Sequence, residues 1–272
     1  MLTLNNPDPP FIAIPVFPSR YFRHQSIYIN KHAGINSPAD LKGKKIGVPE
    51  WQMTAPVWQR GILEEEYGVP YDSVSYFTGA VEPSTTRREE KFKLDLSPSV
   101  KIERIGQGKC LSEMLRTGEI DALYSATCPS SFSDKDNVGF LFPNFKEVEA
   151  EYYKKTGIFP VMHVIAVKRS VYKANPWIIR SLIKAFGKAL DIAYENIEAR
   201  GALKVILPWL EDHLNETRAI FGEDRYWQDG LTEGNKRTLA KFLEYSYNQG
   251  LAKKKWKVEE IFAKEALEEF VI

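Results

Sequence analysis

Reactive side chains are scarce in this sequence, which has two cysteines and four histidines in 272 residues. Cys110 and Cys128 have neither CxxC nor metal-ligand spacing. That excludes a zinc ribbon, a thioredoxin-like motif and a disulfide scaffold, and fits two small buried thiols in a reducing compartment. No HxH or HExxH pair and no glycine-rich nucleotide fingerprint occurs. An excess of charge of either sign is also missing: 37 Lys and Arg face 36 Asp and Glu, for a net +1. No global pull toward nucleic acid or anionic membrane follows. No apolar run could span a bilayer. The segment Met1 to Pro10 has no basic region, apolar stretch or cleavage site of an export signal, so a cytoplasmic location is expected. Repeats and low-complexity tracts are absent.

What remains is a chain that is 43 % hydrophobic, long enough for one large domain or two ordinary lobes. Phe11 to Phe17 reads as a buried strand stopped by Pro18, and Ser26 to Asn30 as a second. Ser37-Pro-Ala-Asp40 has the form of a capping box ending at Gly43. Strands are expected at Lys44–Val48, Val74–Phe77, Val100–Ile105 and Ile120–Tyr124. A helix from Thr54 to Gly68 and another from Cys110 to Gly118 fall between them, the rhythm of parallel βαβ units. Glu82 to Ser99 reads as a polar excursion loop with one short strand. Downstream, a helix from Asn144 to Thr156 precedes a β-rich run from Pro160 to Lys168. Helices are then expected after Asn175-Pro176 and at Ala202–Trp209, Thr232–Gln249 and Val258–Leu267. The helix after Pro176 has Ile178, Ile179, Leu182, Ile183, Phe186 and Leu190 on one face.

Two passages, Ser37-Pro-Ala-Asp-Leu-Lys-Gly-Lys-Lys-Ile-Gly-Val48 and Gly118-Glu-Ile-Asp-Ala122, resemble the second-lobe signatures of type II periplasmic-binding-protein folds. Three more narrow the resemblance: Ala13 to His24 (AIPVFPSRYFRH), Gly47 to Ala55 (GVPEWQMTA) and Thr156 to His163 (TGIFPVMH). These are similar to the 4,5-dihydroxyphthalate decarboxylase family over nearly the whole chain, although Trp51 stands where that family often has Tyr. The resemblance implies a two-lobed α/β fold with mostly parallel sheets and a helical C-terminal region. Residues 1–29 and 164–272 would form lobe one, and 30–163 lobe two. The family carries a further β-α-β segment before the position of Asp8, so lobe one is expected to be incomplete. Ile12 and Ile14 would then lie in water, and self-association is a possible consequence.

The resemblance implies a carboxy-lyase that converts 4,5-dihydroxyphthalate, or a close catechol dicarboxylate, to protocatechuate. A non-catalytic binding or sensor protein for a small aromatic acid is the alternative, because the fold most often serves that purpose. A pyrimidine-precursor enzyme is disfavoured by the lack of its cysteine- and histidine-rich segment. Such a decarboxylase needs a carboxylate clamp, for which the Arg fork is suited, and a proton donor near neutrality, for which His is suited. Arg20, Arg23 and His24 follow a strand end, where open sheets place ligand crevices; a surface ion-pair cluster is the plainer reading. His163 sits in an apolar strand, where a core role is as well supported as proton delivery. Trp51, Gln52 and Thr54 lie between a strand end and a helix N-terminus, a ready anion site, although Thr54 could simply cap the helix. Thr78 and Ser125 end further strands. No organic cofactor is called for. A divalent metal on His24, His163 and Glu50 is the weaker possibility.

Overall fold

The computed structural model describes residues 2–84 and 95–267. Along the chain these form β1 (Phe11–Arg20), β2 (Ile27–Asn30), β3 (Lys45–Val48), helix α1 (Thr54–Tyr67), β4 (Ser75–Thr78) and β5 (Lys101–Arg104). Then come α2 (Leu111–Thr117), β6 (Ala122–Tyr124), β7 (Val138–Phe140), α3 (Phe145–Thr156) and β8 (Val161–Lys168). Helices α4 (Arg169–Ala174), α5 (Ile178–Glu198), α6 (Leu210–Phe221) and α7 (Glu233–Asn248) complete the order. No helix among the described residues is long and apolar enough to cross a membrane.

The chain divides into two compact units. The first comprises Phe22–Glu149 with Phe242–Lys255; the second contains Thr3–Tyr21, Ala150–Lys241 and the stretch from Trp256 onward. The chain passes between units at 21/22 and 149/150, where the sequence suggested 29/30 and 163/164. The short segment ahead of β2 goes with β2, and β2 pairs on both sides inside the first unit.

The first unit holds a six-stranded sheet in the order β5-β4-β3-β6-β2-β7. Strands β5, β4, β3 and β6 are parallel, and β2 runs against both β6 and β7. Ser37 and Asp40 do form a capping box, with Pro38 inside it, but it opens only a 3₁₀ turn. Both α1 and α2 end on glycines, Gly68 and Gly118, at φ of 63° and 79°, a conformation that costs a glycine nothing. One face of the sheet packs Tyr28, Leu123 and Val138 against Leu111, Met114 and Leu115 of α2. Residues 55–63 of α1 are all buried, including the polar Gln59 and Arg60. Part of the expected excursion loop, residues 85–94, lies outside the described residues.

In the second unit β1 and β8 form a two-stranded antiparallel sheet. Strand β1 does not stop at Pro18. The register breaks between Ile14 and Ser19 and the strand resumes to Arg20, a bulge being the place where a strand tolerates proline. The expected exposure of Ile12 and Ile14 is corrected: they are 7 % and 0 % exposed. Ile179, Leu182, Ile183 and Phe186 of α5 pack over them together with Ala263, and Ala263 N–H donates to the Ala13 carbonyl at 3.0 Å. Apolar exposure falls instead on Trp177, Ile192, Ile206 and Trp209. The helix expected at Ala202–Trp209 does not form; Pro208 biases Leu207 away from helical geometry, and α6, which the sequence reading does not include, follows at Leu210. Residues 258–267 make two 3₁₀ turns and not a helix.

Gly61 gives a direct test of packing in the first unit. A Cβ there would sit 2.2–2.4 Å from ring carbons of Tyr245. That ring is held edge-on to Trp58, and its hydroxyl is bonded to Glu65. Gly61→Ala is therefore expected to cost about 1–3 kcal/mol, as overpacking does, and to lower the melting temperature by several degrees. An unchanged melt would show that the Tyr245 ring is free to move.

Candidate functional site

The register of the first unit decides which segments meet. Val48 pairs with Thr78 and Gly47 with Leu123 in parallel, so the carboxyl ends of β4, β3 and β6 share one rim, the usual ligand edge of an open α/β sheet. The turn 49–53 leaves β3 there, Thr78-Gly79 leaves β4, and Ser125-Ala126-Thr127 leaves β6. Strand β2 runs the other way and pairs Ile27 with Tyr124. The segment before it, Arg23 to Ser26, therefore arrives at the same rim, where Ser125 N–H donates to the Ser26 carbonyl at 3.3 Å. Arg23, His24, Trp51, Gln52, Thr54, Thr78 and Ser125 are thus brought to one edge of one unit.

These side chains are more engaged than their sequence context suggests. Ser125 is fully buried; its hydroxyl donates to the Thr127 carbonyl at 2.7 Å and accepts from Thr127 N–H at 3.1 Å. The Trp51 indole is also fully buried, edge-on to Tyr76, and its N–H donates to the Gln249 carbonyl at 3.2 Å. It is packed by its own unit and does not present an open stacking platform. Gln52 donates to a Glu50 carboxylate oxygen at 2.9 Å, while its own Oε1 is buried without a donor. Thr54 is the first helical residue and Met53 the cap, so Thr54 does not cap α1. Pro56, two residues on, removes one of the N–H groups that an anion would use.

His24 and Glu149 form the titratable heart of this rim. His24 is 1 % exposed, with its ring edge-on to Phe142 and Tyr67. Burial pushes its pKa down to about 4. Its Nδ1 lies 3.9 Å from Glu149 Oε1. Burial pushes the Glu149 carboxyl up to about 7, against the pull of hydrogen bonds from Gln25 and the His24 backbone and of the Arg23 charge. Gln25 donates to both carboxylate oxygens, from N–H and from Nε2, each at 3.0 Å. The distance alone would describe an ion pair, but desolvation favours the neutral form of both partners. Near pH 7 the imidazole is therefore neutral, and the carboxyl, at the midpoint of its titration, is the group of the pair that gains and loses a proton.

Arg20 and His163 belong to the second unit. Arg20 is buried over the rings of Phe17 and Phe159. It donates to the carbonyls of Gln228 at 2.9 Å and Phe159 at 3.3 Å, and to Asn235 Oδ1 at 2.5 Å. Desolvation lowers its pKa to about 10. Those bonds fasten β1 to the start of α7, so the expected cluster of Arg20 with Arg23 is divided between units. His163 is exposed on β8, opposite Ser19, which sets aside a buried core role. No three His, Cys, Asp or Glu side chains among the described residues gather as metal ligands would.

Three residues of this rim are not among the sequence candidates: Glu149, Gln59 and Arg60. Gln59 Nε2 donates to the Ser26 carbonyl at 2.6 Å and to its hydroxyl at 3.2 Å, tying α1 to the segment before β2. The sequence does carry a signal for Glu149, since Phe145, Glu149 and Tyr152 fall on one stripe of α3.

The pH dependence of stability follows from the pair. A depressed His pKa gives stability that is present above about 6.5 and lost as pH falls through about 4. A raised Glu pKa gives stability that is present below about 4.5 and lost as pH rises through about 7. The two largely cancel between pH 7 and 4.5. Glu149→Gln removes one of them, and the variant is expected to lose roughly 3 kcal/mol more than the parent between those limits. Denaturant titrations at both pH values measure this; parallel curves would refute it.

The chain is 40 % identical over 264 residues to 4,5-dihydroxyphthalate decarboxylase of Comamonas testosteroni, covering 97 % of this chain and 79 % of that protein. A protein of the same name from Pseudomonas putida is 44 % identical over 146 residues, covering 53 % of this chain and 56 % of its own length. No protein-family model matches. Among solved structures, the periplasmic sulfonate-binding protein SsuA of Methylobacillus flagellatus superposes with a TM-score of 0.52 at 15 % identity, over 98 % of this chain and 70 % of that one. The fold is thus of the type II periplasmic-binding-protein kind, and the chain belongs to the 4,5-dihydroxyphthalate decarboxylase family.

Proposed function

We propose that this protein is a carboxy-lyase that converts 4,5-dihydroxyphthalate, or a close catechol dicarboxylate, to protocatechuate and carbon dioxide. The observation that carries this reading is 40 % identity over 97 % of the chain to a protein of that activity. In the substrate each carboxylated carbon is para to a phenolic oxygen. Loss of the phenolic proton drives electron density onto that carbon, which then accepts a proton. The carbon–carboxylate bond breaks, its electron pair restores the aromatic ring and the phenolate, carbon dioxide leaves, and the phenolate regains the proton it lost. One proton replaces one carbon dioxide. The ring supplies its own electron sink, so this reading requires no cofactor or metal.

The protein's tasks are to hold carboxylates and deliver that proton. We assign substrate binding to the rim of the first unit. Arg23 is the charged group for a carboxylate, with Gln52, Thr54, Thr78 and Ser125 around it. His24 relays the proton, giving one from a ring nitrogen as its Nδ1 takes another from the Glu149 carboxyl 3.9 Å away, which is about half protonated at neutrality, so the imidazole stays neutral. A poised acid of this kind contributes about 10²–10⁴-fold. The binding-protein fold supports a second reading, a solute-binding protein for a small aromatic acid.

Incubation with 4,5-dihydroxyphthalate, following protocatechuate and carbon dioxide, separates the two readings, because binding without turnover would leave only the second. His24→Gln should lower kcat about 10²-fold or more while substrate still binds. In Glu149→Gln the inflection of kcat near pH 7 should disappear. A His163→Gln variant that loses turnover while His24→Gln retains it would move the acid to the other unit.

A further inference from the structure

Arg60, on the second turn of α1, is 1 % exposed. Its Nε donates to Gln249 Oε1 at 2.8 Å and its Nη2 to the Trp51 carbonyl at 2.7 Å. Its guanidinium lies 3.8 Å from the centre of the Trp51 ring. Both acceptors are neutral. Nη1 is buried with no acceptor at all, and the groups that act on the charge are the hydroxyls of Tyr76, Tyr124 and Tyr71 rather than a carboxylate. Glu50, in the same turn as Trp51, receives a hydrogen bond from Gln52. Among the described residues this cation has therefore been taken out of water without a carboxylate bonded to it, which is costly. It lies against the turn that leaves β3, directly beneath the rim.

We infer that Arg60 is a positioning and specificity-determining residue that fixes the Trp51 turn and gives the rim a buried positive charge favouring dicarboxylates over monocarboxylates. The inference rests on the reading of the rim as the site for an aromatic dicarboxylate. Arg60 does not touch the ligand. Its fork holds the turn through the Trp51 carbonyl, and its charge acts through a medium of low polarisability, where a unit charge retains much of its strength. Such a field scales with ligand charge, which a purely structural role would not do.

The test uses three probes built on one benzene ring at neutral pH: phthalate as dianion, benzoate as monoanion and the isosteric benzamide as neutral ring. Wild-type protein should bind them in that order. Arg60→Gln should weaken phthalate roughly tenfold, benzoate about threefold and benzamide hardly at all, the pattern for loss of one partly buried charge. Arg60→Lys, which keeps the charge, should retain the phthalate preference. Gln249→Glu sets a carboxylate against Nε; it should narrow the preference as Arg60→Gln does, and it serves if Arg60→Gln fails to fold. Equal weakening of all three probes, or an unchanged preference in folded Arg60→Gln or Gln249→Glu, would overturn the inference. Wild-type protein that neither binds phthalate nor turns over 4,5-dihydroxyphthalate would instead overturn the functional reading beneath it.

Discussion

The reversal of one strand in an otherwise parallel neighbourhood organises the first unit. If β2 ran with β3, β4 and β6, the segment Arg23 to Ser26 would lie at the opposite edge from the turns after those strands. Because Ile27 instead pairs with Tyr124 in antiparallel sense, the residue before β2 meets the residue after β6. Helix α1 fixes that meeting through Gln59, and α3 fixes it through Glu149. The presence of Arg23 and His24 at the rim depends on this pairing, whereas Gln52, Thr54 and Thr78 reach it through the parallel strands. A slip of one residue would turn Tyr28 out of the core it shares with Leu123 and Val138.

Much of this architecture is legible in the sequence. Alternation of apolar strands with glycine-ended helices predicts β3 through β6, and the glycines at 68 and 118 sit where left-handed caps are needed. The sequence was less informative where tertiary contacts override local pattern. Pro18 reads as a strand terminator, yet β1 continues because a register break absorbs the proline. The tract 202–209 is apolar enough for a helix but forms none, and the helix α6 follows it from Leu210. Strand β7 has three residues, too few for any periodicity to register. Exposure of Ile12 and Ile14 was inferred from a missing cover, whereas α5 supplies one.

The site was legible at the level of segments and less so at the level of side chains. Strand ends and the turn after β3 are visible as apolar runs stopped by proline or small residues, and that pattern places Trp51, Thr78 and Ser125 at strand ends. Which polar group is buried, and against what, depends on contacts between residues far apart in sequence. Arg20 and Arg23 are three residues apart and look equivalent, yet one bonds to Gln228 and Asn235 in one unit while the other acts on Glu149 in the other unit. Arg60 meets Gln249 across 189 positions, and no local pattern encodes that.

Burial also changes what each group can do, in a direction that residue type alone does not give. Histidine is the expected acid at neutral pH because its ordinary pKa lies there. At 1 % exposure, however, the His24 imidazole resists charge, and the same desolvation moves a carboxyl into the range the histidine vacates. The two effects have one cause and opposite signs, because charging adds a cation in one group and an anion in the other. Under the proposed function, a rim that receives an anionic ring and gives it a proton gains from this exchange. The proton is stored as a neutral carboxyl, which adds no negative charge against the incoming carboxylates while it remains protonated. Release of that proton leaves a carboxylate among the Gln25 and His24 donors that already hold it. In the proposed reaction the proton that reaches the ring carbon lowers the negative charge of the ligand by one as Glu149 gains one, so the charge of the site and its ligand together is unchanged, and carbon dioxide then leaves as a neutral molecule.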